Sequence, residues 1–175
     1  MISGSLRSAS TNTAALLTLG SLAREGLVAT LYDGLADLPH FNPDDDVIPL
    51  HPAVVHLRAR IRSADALLFS TPEYAGALPG SFKNLLDWTI GDDEPGSIYE
   101  KPVAWIEVSP RPAQGAHDSL RRVLGFAGAR IVEAACRRIP LTRAMIGPDG
   151  VVTDPDARRQ LADALEALAS GAVSA

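Results

Sequence analysis

Near the amino end, Gly4-Ser5-Leu6-Arg7-Ser8-Ala9-Ser10-Thr11-Asn12 brings four hydroxyls and a guanidinium into one turn. The turn leads into a stretch of helical period, so the unpaired amides of a helix start and the positive end of its dipole face whatever binds there. Amides, hydroxyls and a cation are the donors that a phosphate monoester accepts. A plainer role also fits, with Ser10 or Thr11 capping the helix and Arg7 solvated. The Gly-Lys-Ser/Thr of a nucleoside-triphosphate loop and the glycine triplet of a dinucleotide fingerprint are both absent. A second turn, Thr71-Pro72-Glu73-Tyr74-Ala75-Gly76-Ala77-Leu78-Pro79-Gly80, is stiffened by two prolines and marked by two glycines. A rigid run of amides at a strand end can present donors to one edge of a planar ring. A stiff connection with no ligand satisfies the same pattern. The third candidate is Ser109-Pro110-Arg111-Pro112-Ala113-Gln114-Gly115, which adds a cation.

Other clusters carry less. His51 and His56 are five apart rather than four, with no HExxH, and Asp44-Asp45-Asp46 lacks calcium-loop spacing, so it reads as a solvated acidic loop. No Gly-x-Ser-x-Gly elbow anchors a hydrolase triad. The lone cysteine, Cys136, rules out an intrachain disulfide and reads as a small core residue.

The three turns need strands to hold them. Leu27–Tyr32, Ala66–Ser70, Val103–Val108 and Ala129–Ala135 are short apolar runs that predict strands, the later ones buried on both faces. Helical stripes lie between them: Leu16, Leu19 and Ala23; Val54, Leu57 and Ile61; Phe82, Leu85, Leu86 and Thr89 after Pro79; Leu120, Val123, Leu124 and Ala127. Leu161, Leu165 and Leu168 follow a start at Asp154-Pro155, and Ala169–Ala175 is expected to fray. The alternation predicts an α/β fold, a doubly wound parallel sheet of five strands with helices on both faces. Ligands of such sheets bind outside the carboxyl ends of the strands, where all three turns fall. Leu35–Pro52 and Ile90–Lys101 are read as polar connections.

The chain has 175 residues, enough for one domain spanning 1–175. Its net charge of −5 argues against nucleic acid and anionic membranes, although Arg7, Arg58, Arg60 and Arg62 leave local positive charge. With no bilayer-length apolar run and no signal-peptide pattern, a cytoplasmic protein is expected.

Gly-Ser-Leu-Arg-x-x-Ser-x-Asn (Gly4–Asn12) and Thr-Pro-Glu-Tyr…Pro-Gly-Ser-Phe-Lys-Asn-Leu-Leu-Asp-Trp (Thr71–Trp88) together resemble the NADPH-dependent FMN reductase family, which includes quinone, chromate and azo-dye reductases. The resemblance implies a flavodoxin-like fold with strand order 2-1-3-4-5. It also implies an FMN cofactor with NADPH or NADH as co-substrate, and a quinone, free flavin or similar small acceptor. It places Ser5, Arg7, Ser10 and Asn12 around the FMN phosphate, and Pro72, Glu73, Tyr74 and Ala75 along the isoalloxazine, largely through main-chain atoms. The loop opening at Ser109 falls to the pyrimidine edge, and Lys83–Trp88 to the interface of a homodimer or tetramer. Many members carry Asn where this chain has Ala75. In that strand order the first strand is interior, and only Met1-Ile2-Ser3 precede Gly4, so this strand is expected to be truncated. The alternative function is an FMN-binding electron carrier or redox sensor without nicotinamide turnover.

Overall fold

A computed structural model describes residues 1–173. The strands are β1 (Ile2–Ser3), β2 (Leu67–Ser70), β3 (Pro102–Glu107), β4 (Arg130–Ile131) and β5 (Arg137–Arg138). The helices are α1 (Thr11–Leu22), α2 (Pro52–Arg62), α3 (Gly80–Ile90), α4 (Gln114–Phe126) and α5 (Pro155–Val173). All pairings are parallel, in the order β1-β2-β3-β4 with β5 also on β3, and Tyr32 bridges to the free side of β1 at Ile2. This agrees in part with the order 2-1-3-4-5: the interior pairings follow it, while the edge place of the expected second strand is held only by the isolated Tyr32 bridge.

The sheet separates two apolar layers. One joins Val54, Leu57 and Ile61 of α2 with Phe82, Leu85 and Leu86 of α3 and Leu120 and Leu124 of α4. The other joins Leu16 and Leu19 of α1 with Leu161, Leu165 and Leu168 of α5. These are the stripes expected from helical periodicity. Asp154 starts α5 by accepting the Ala157 amide at 2.8 Å. The helix runs on to Val173, so Ala169–Val173 is ordered helix where a frayed tail was expected. Residues 174 and 175 lie outside the described residues.

Two strands depart from expectation. Leu27–Tyr32 forms no ladder beyond Tyr32, and Val28 is 91% exposed. A parallel strand needs a neighbour along its length, and here β1 offers only Ile2, together with Met1, whose carbonyl accepts the Tyr32 amide. Between Leu27–Thr30 and Ala66–Leu68 lies a trough of about 960 Å³, flanked by Ile61 of α2 and Leu165 of α5. The expected strand Ala129–Ala135 is broken in two by a 3-10 turn at Glu133–Ala135. That turn puts Ala135 into the α1/α5 layer and Glu133 outside, ion-paired with Arg121. Beyond the turn β5 resumes alongside Ile106 and Glu107.

The long connection after Tyr32 is less polar in its role than in its composition. Leu35 is buried, and Phe41 packs edge-on against Trp88 with ring centroids 5.0 Å apart. Asn84 accepts the Phe41 amide and donates to the Pro39 carbonyl, which also accepts the Trp88 indole N–H. Asp46 is not solvated. Its carboxylate takes two bonds from Arg58, a residue only 4% exposed whose Nε donates to the Trp88 carbonyl. Arg58→Ala leaves both acceptors without their donor, and breaking a buried pair on one side costs about 3–5 kcal/mol. Urea denaturation is expected to show a loss of that size. A loss below about 1 kcal/mol would mean that water replaces the guanidinium.

Candidate functional site

Gly4 leaves β1 with its amide bonded to the Ser70 carbonyl, and Thr71 leaves β2 beside it. The Thr71 side chain comes so close to the Gly4 backbone that a Cβ on Gly4 would lie 2.3 Å from Thr71 Oγ1, so only glycine fits there. This approach sets the first turn against the second.

In the first turn the hydroxyls divide their work. Ser3 Oγ contacts Thr13 Oγ1 and accepts the Ser5 amide, which holds the turn down onto α1. Ser10 caps α1 through a bond from the Thr13 amide. Ser5 Oγ accepts the Arg7 amide, while the Arg7 side chain is exposed. Asn12 is buried, and its Oδ1 accepts from Ser70 Oγ on β2, so it ties α1 to the sheet from behind the turn. The capping role and a phosphate role are compatible for Ser10, because a hydroxyl that accepts one bond can still donate another.

The second turn is a hairpin. Tyr74 and Ala77 exchange two backbone bonds of 3.0 and 3.1 Å, and Ala75 and Gly76 between them have φ of 50° and 74°. Two left-handed residues in a two-residue loop make a type I′ turn, which favours Asn-Gly. The Asn that many family members carry at this position therefore suits the backbone, whatever its side chain touches. Leu78 and Pro79 are buried and anchor the hairpin, while Tyr74–Ala77 stand exposed. Glu73 turns away from the tip, and its Oε2 accepts the Ala116 amide in the first turn of α4. A carboxylate at that place also suits the helix dipole.

The third turn is held by residues that sequence reasoning missed. Glu107 Oε1 accepts the Ala113 amide and a bond from Arg138 Nε, and Arg138 Nη2 donates to the carbonyls of Ser109 and Pro110. Ser109 is thus gripped through its main chain. Gly115 meets the hairpin so closely that a Cβ would lie 2.1 Å from the Gly76 carbonyl. The strand expected over Ala129–Ala135 stops short of Arg138, which lies on β5. Among the described residues Arg111 has no partner and is exposed. Cys136 is half-buried and packs against both layers; burial pushes its thiol above the usual range, away from the nucleophilic thiolate.

Two sizeable cavities, the trough of about 960 Å³ and a second of about 600 Å³ around Ile90–Glu100 and Phe126, lie away from these turns. The turns form an open shelf instead. Hydroxyls, amides and the exposed Arg7 guanidinium are carried on the shelf, whereas the trough is largely a gap beside β1.

The sequence profile of the family described as NADPH-dependent FMN reductase matches residues 1–139. The chain belongs to that family. An NAD(P)H-dependent FMN reductase of Pseudomonas aeruginosa is 34% identical over 169 residues, covering 95% of this chain and 90% of the relative. A quinone reductase of Pseudomonas putida is 31% identical over 142 residues, 80% of this chain and 73% of the relative. Among solved structures, FerB, a flavoenzyme NAD(P)H:(acceptor) oxidoreductase from Paracoccus denitrificans, superposes with a TM-score of 0.85 at 31% identity, over 99% of this chain and 95% of FerB. The fold of this FMN reductase family member is flavodoxin-like.

The hairpin gives a direct test. Alanine is disfavoured in the left-handed region and Asn tolerated, so Ala75→Asn is expected to stabilise the protein by about 0.5–1 kcal/mol and Ala75→Val to destabilise it by more. Thermal unfolding of the two variants measures this, and an Asn variant less stable than the parent contradicts the turn type.

Proposed function

We propose that the chain is an NAD(P)H-dependent, FMN-containing reductase that passes electrons on to a quinone, free flavin or similar small acceptor. The observation that carries this reading is the apposition, through Gly4 and Thr71, of a donor-rich turn and an exposed rigid hairpin at one end of the sheet, in a chain of this family. When bound, FMN supplies the hydride and electron chemistry, and the protein holds, orients and tunes it. Arg7, Ser5 and Ser10, with the amides of the first turn, suit its phosphate. Asn12 supports that turn from the interior. Main-chain atoms of Pro72, Glu73, Tyr74 and Ala75 suit the ring, and the Ser109 loop its pyrimidine edge. No side chain is assigned as catalytic acid or base. The exposed hairpin tip leaves room for a nicotinamide to stack within reach of the ring. The relatives named FMN reductase and quinone reductase support turnover over the carrier alternative.

Rapid mixing of the FMN-loaded protein with NADPH is expected to bleach the flavin absorbance at least as fast as steady-state turnover, with parallel double-reciprocal lines for NADPH and quinone. Bleaching much slower than turnover overturns the reductase reading. Intersecting lines overturn alternate use of one stacking slot.

We place the protein in the cytoplasm, where reduced nicotinamide is at hand; no helix of the described residues is long and apolar enough to cross a membrane. A homodimer is also proposed, with a changed interface. Leu85, Leu86 and Trp88 are fully enclosed in the chain's own core, so they cannot form it. The outer face of α3 presents Lys83 and Asp87, ion-paired with each other, and the exposed Ile90. Ile90, Tyr99 and Phe126, the last 87% exposed, rim the 600 Å³ cavity and form an apolar face suited to a second copy. Sedimentation is expected to show a dimer that Phe126→Asp converts to monomer. A monomeric parent protein at micromolar concentration removes the proposal.

A further inference from the structure

Arg143 lies outside the stretch that the family profile matches and outside every motif singled out from the sequence. It sits in a 3-10 turn, Arg143–Met145, within a segment fixed at several points. Before it, the Leu141 amide bonds to the Val108 carbonyl. After it, Ile146 and Val152 form an antiparallel bridge, and the buried Val152 amide donates to Thr18 Oγ1 on α1. From this braced position Arg143 Nη1 donates to the carbonyl of Ala9, in the middle of the first turn.

The Ala9 carbonyl and the Ser10 N–H belong to one trans peptide plane, so they point in opposite directions. Holding the Ala9 carbonyl therefore fixes the direction of the Ser10 amide, which points away from Arg143. Among the described residues no acceptor within the chain is met by the amides of Ser8, Ala9, Ser10, Thr11 or Asn12. These are the donors that a phosphate on this turn would use. We propose that Arg143 is a positioning residue for the FMN phosphate: by holding the Ala9 carbonyl it orients the Ser10 amide, and the turn around it, for a dianionic phosphoryl group. The proposal rests on the reading of the first turn as the phosphate site.

A phosphate-specific effect separates positioning from general support, because riboflavin presents the same ring without the phosphate. Fluorescence titration of the apoprotein with FMN and with riboflavin tests it, beside Arg7→Ala as the variant that removes the exposed guanidinium. Arg143→Ala is expected to weaken FMN about five- to tenfold, the size of one lost hydrogen bond, with riboflavin changed less than about twofold. Arg143→Lys, which can still donate to the Ala9 carbonyl, is expected to recover most of the FMN affinity. Arg143 is exposed, so the variants should fold, and matching far-UV circular dichroism and Tm verify that. Equal weakening of FMN and riboflavin in Arg143→Ala overturns the proposal in favour of a general structural role. An unchanged FMN affinity overturns it outright, and if Arg7→Ala still lowers the FMN-to-riboflavin ratio, the phosphate site itself stands. Equal affinity of the parent protein for FMN and riboflavin overturns the phosphate site and the proposal together.

Discussion

Ile2 sits opposite Phe69 and Ser3 opposite Ser70, and the Gly4 amide carries this parallel ladder one bond further, to the Ser70 carbonyl. Because the two strands run in the same direction, their loops leave at the same end and side by side. The missing Cβ of Gly4 then lets the first loop close on Thr71, where any side chain would collide with Thr71 and with Phe82 behind it. The hairpin in turn fixes α4, through Glu73 on the Ala116 amide and through the contact of Gly115 with Gly76. One short ladder therefore sets the spacing of all three loops of the shelf.

Charge at this end of the sheet is arranged by the same logic. Glu107 and Glu73 both receive amides near the start of α4, where acceptors are needed, and Arg138 neutralises Glu107 while it holds Ser109 and Pro110. Several cations elsewhere are engaged structurally: Arg58 on Asp46, Arg62 on Asp92, and Lys101 on the Ala64 carbonyl, its pKa lowered by burial. Arg7 and Arg111 stay exposed beside the turns in a chain of net charge −5. A local concentration of unengaged guanidinium suits an anionic ligand even where the whole protein is acidic.

The amino ends of the strands behave differently from the carboxyl ends. There the β1 ladder is short, Leu27–Tyr32 has almost no strand to lean on, and a trough separates it from Ala66–Leu68. Leu57 and Ile61 on one face and Leu165 and Leu168 on the other line this trough and are nonetheless buried. The consequence is an asymmetric sheet, loosely joined at one end and tightly tied by loops at the other.

Periodicity and turn chemistry along the chain determined much of this. The five helices, the core stripes and the strands around Ala66–Ser70 and Val103–Val108 follow from local apolar spacing, and the first two loops were legible because Ser, Arg, Pro and Gly act through their nearest neighbours. The resemblance added the family and its cofactor. Sequence could not decide which polar groups remain free, since that depends on partners distant along the chain: Asn12 Oδ1 is taken by Ser70, Glu73 by Ala116, Arg58 by Asp46 and the Ala9 carbonyl by Arg143. Nor could it show that Leu85, Leu86 and Trp88 point inward, or that Leu27–Tyr32 is left without a full neighbour. A strand is stabilised by its pairing and a polar group is free only if nothing folds against it. Both are properties of the assembled molecule, because hydrogen bonds across a sheet and between loops join residues whose separation along the chain leaves no local trace.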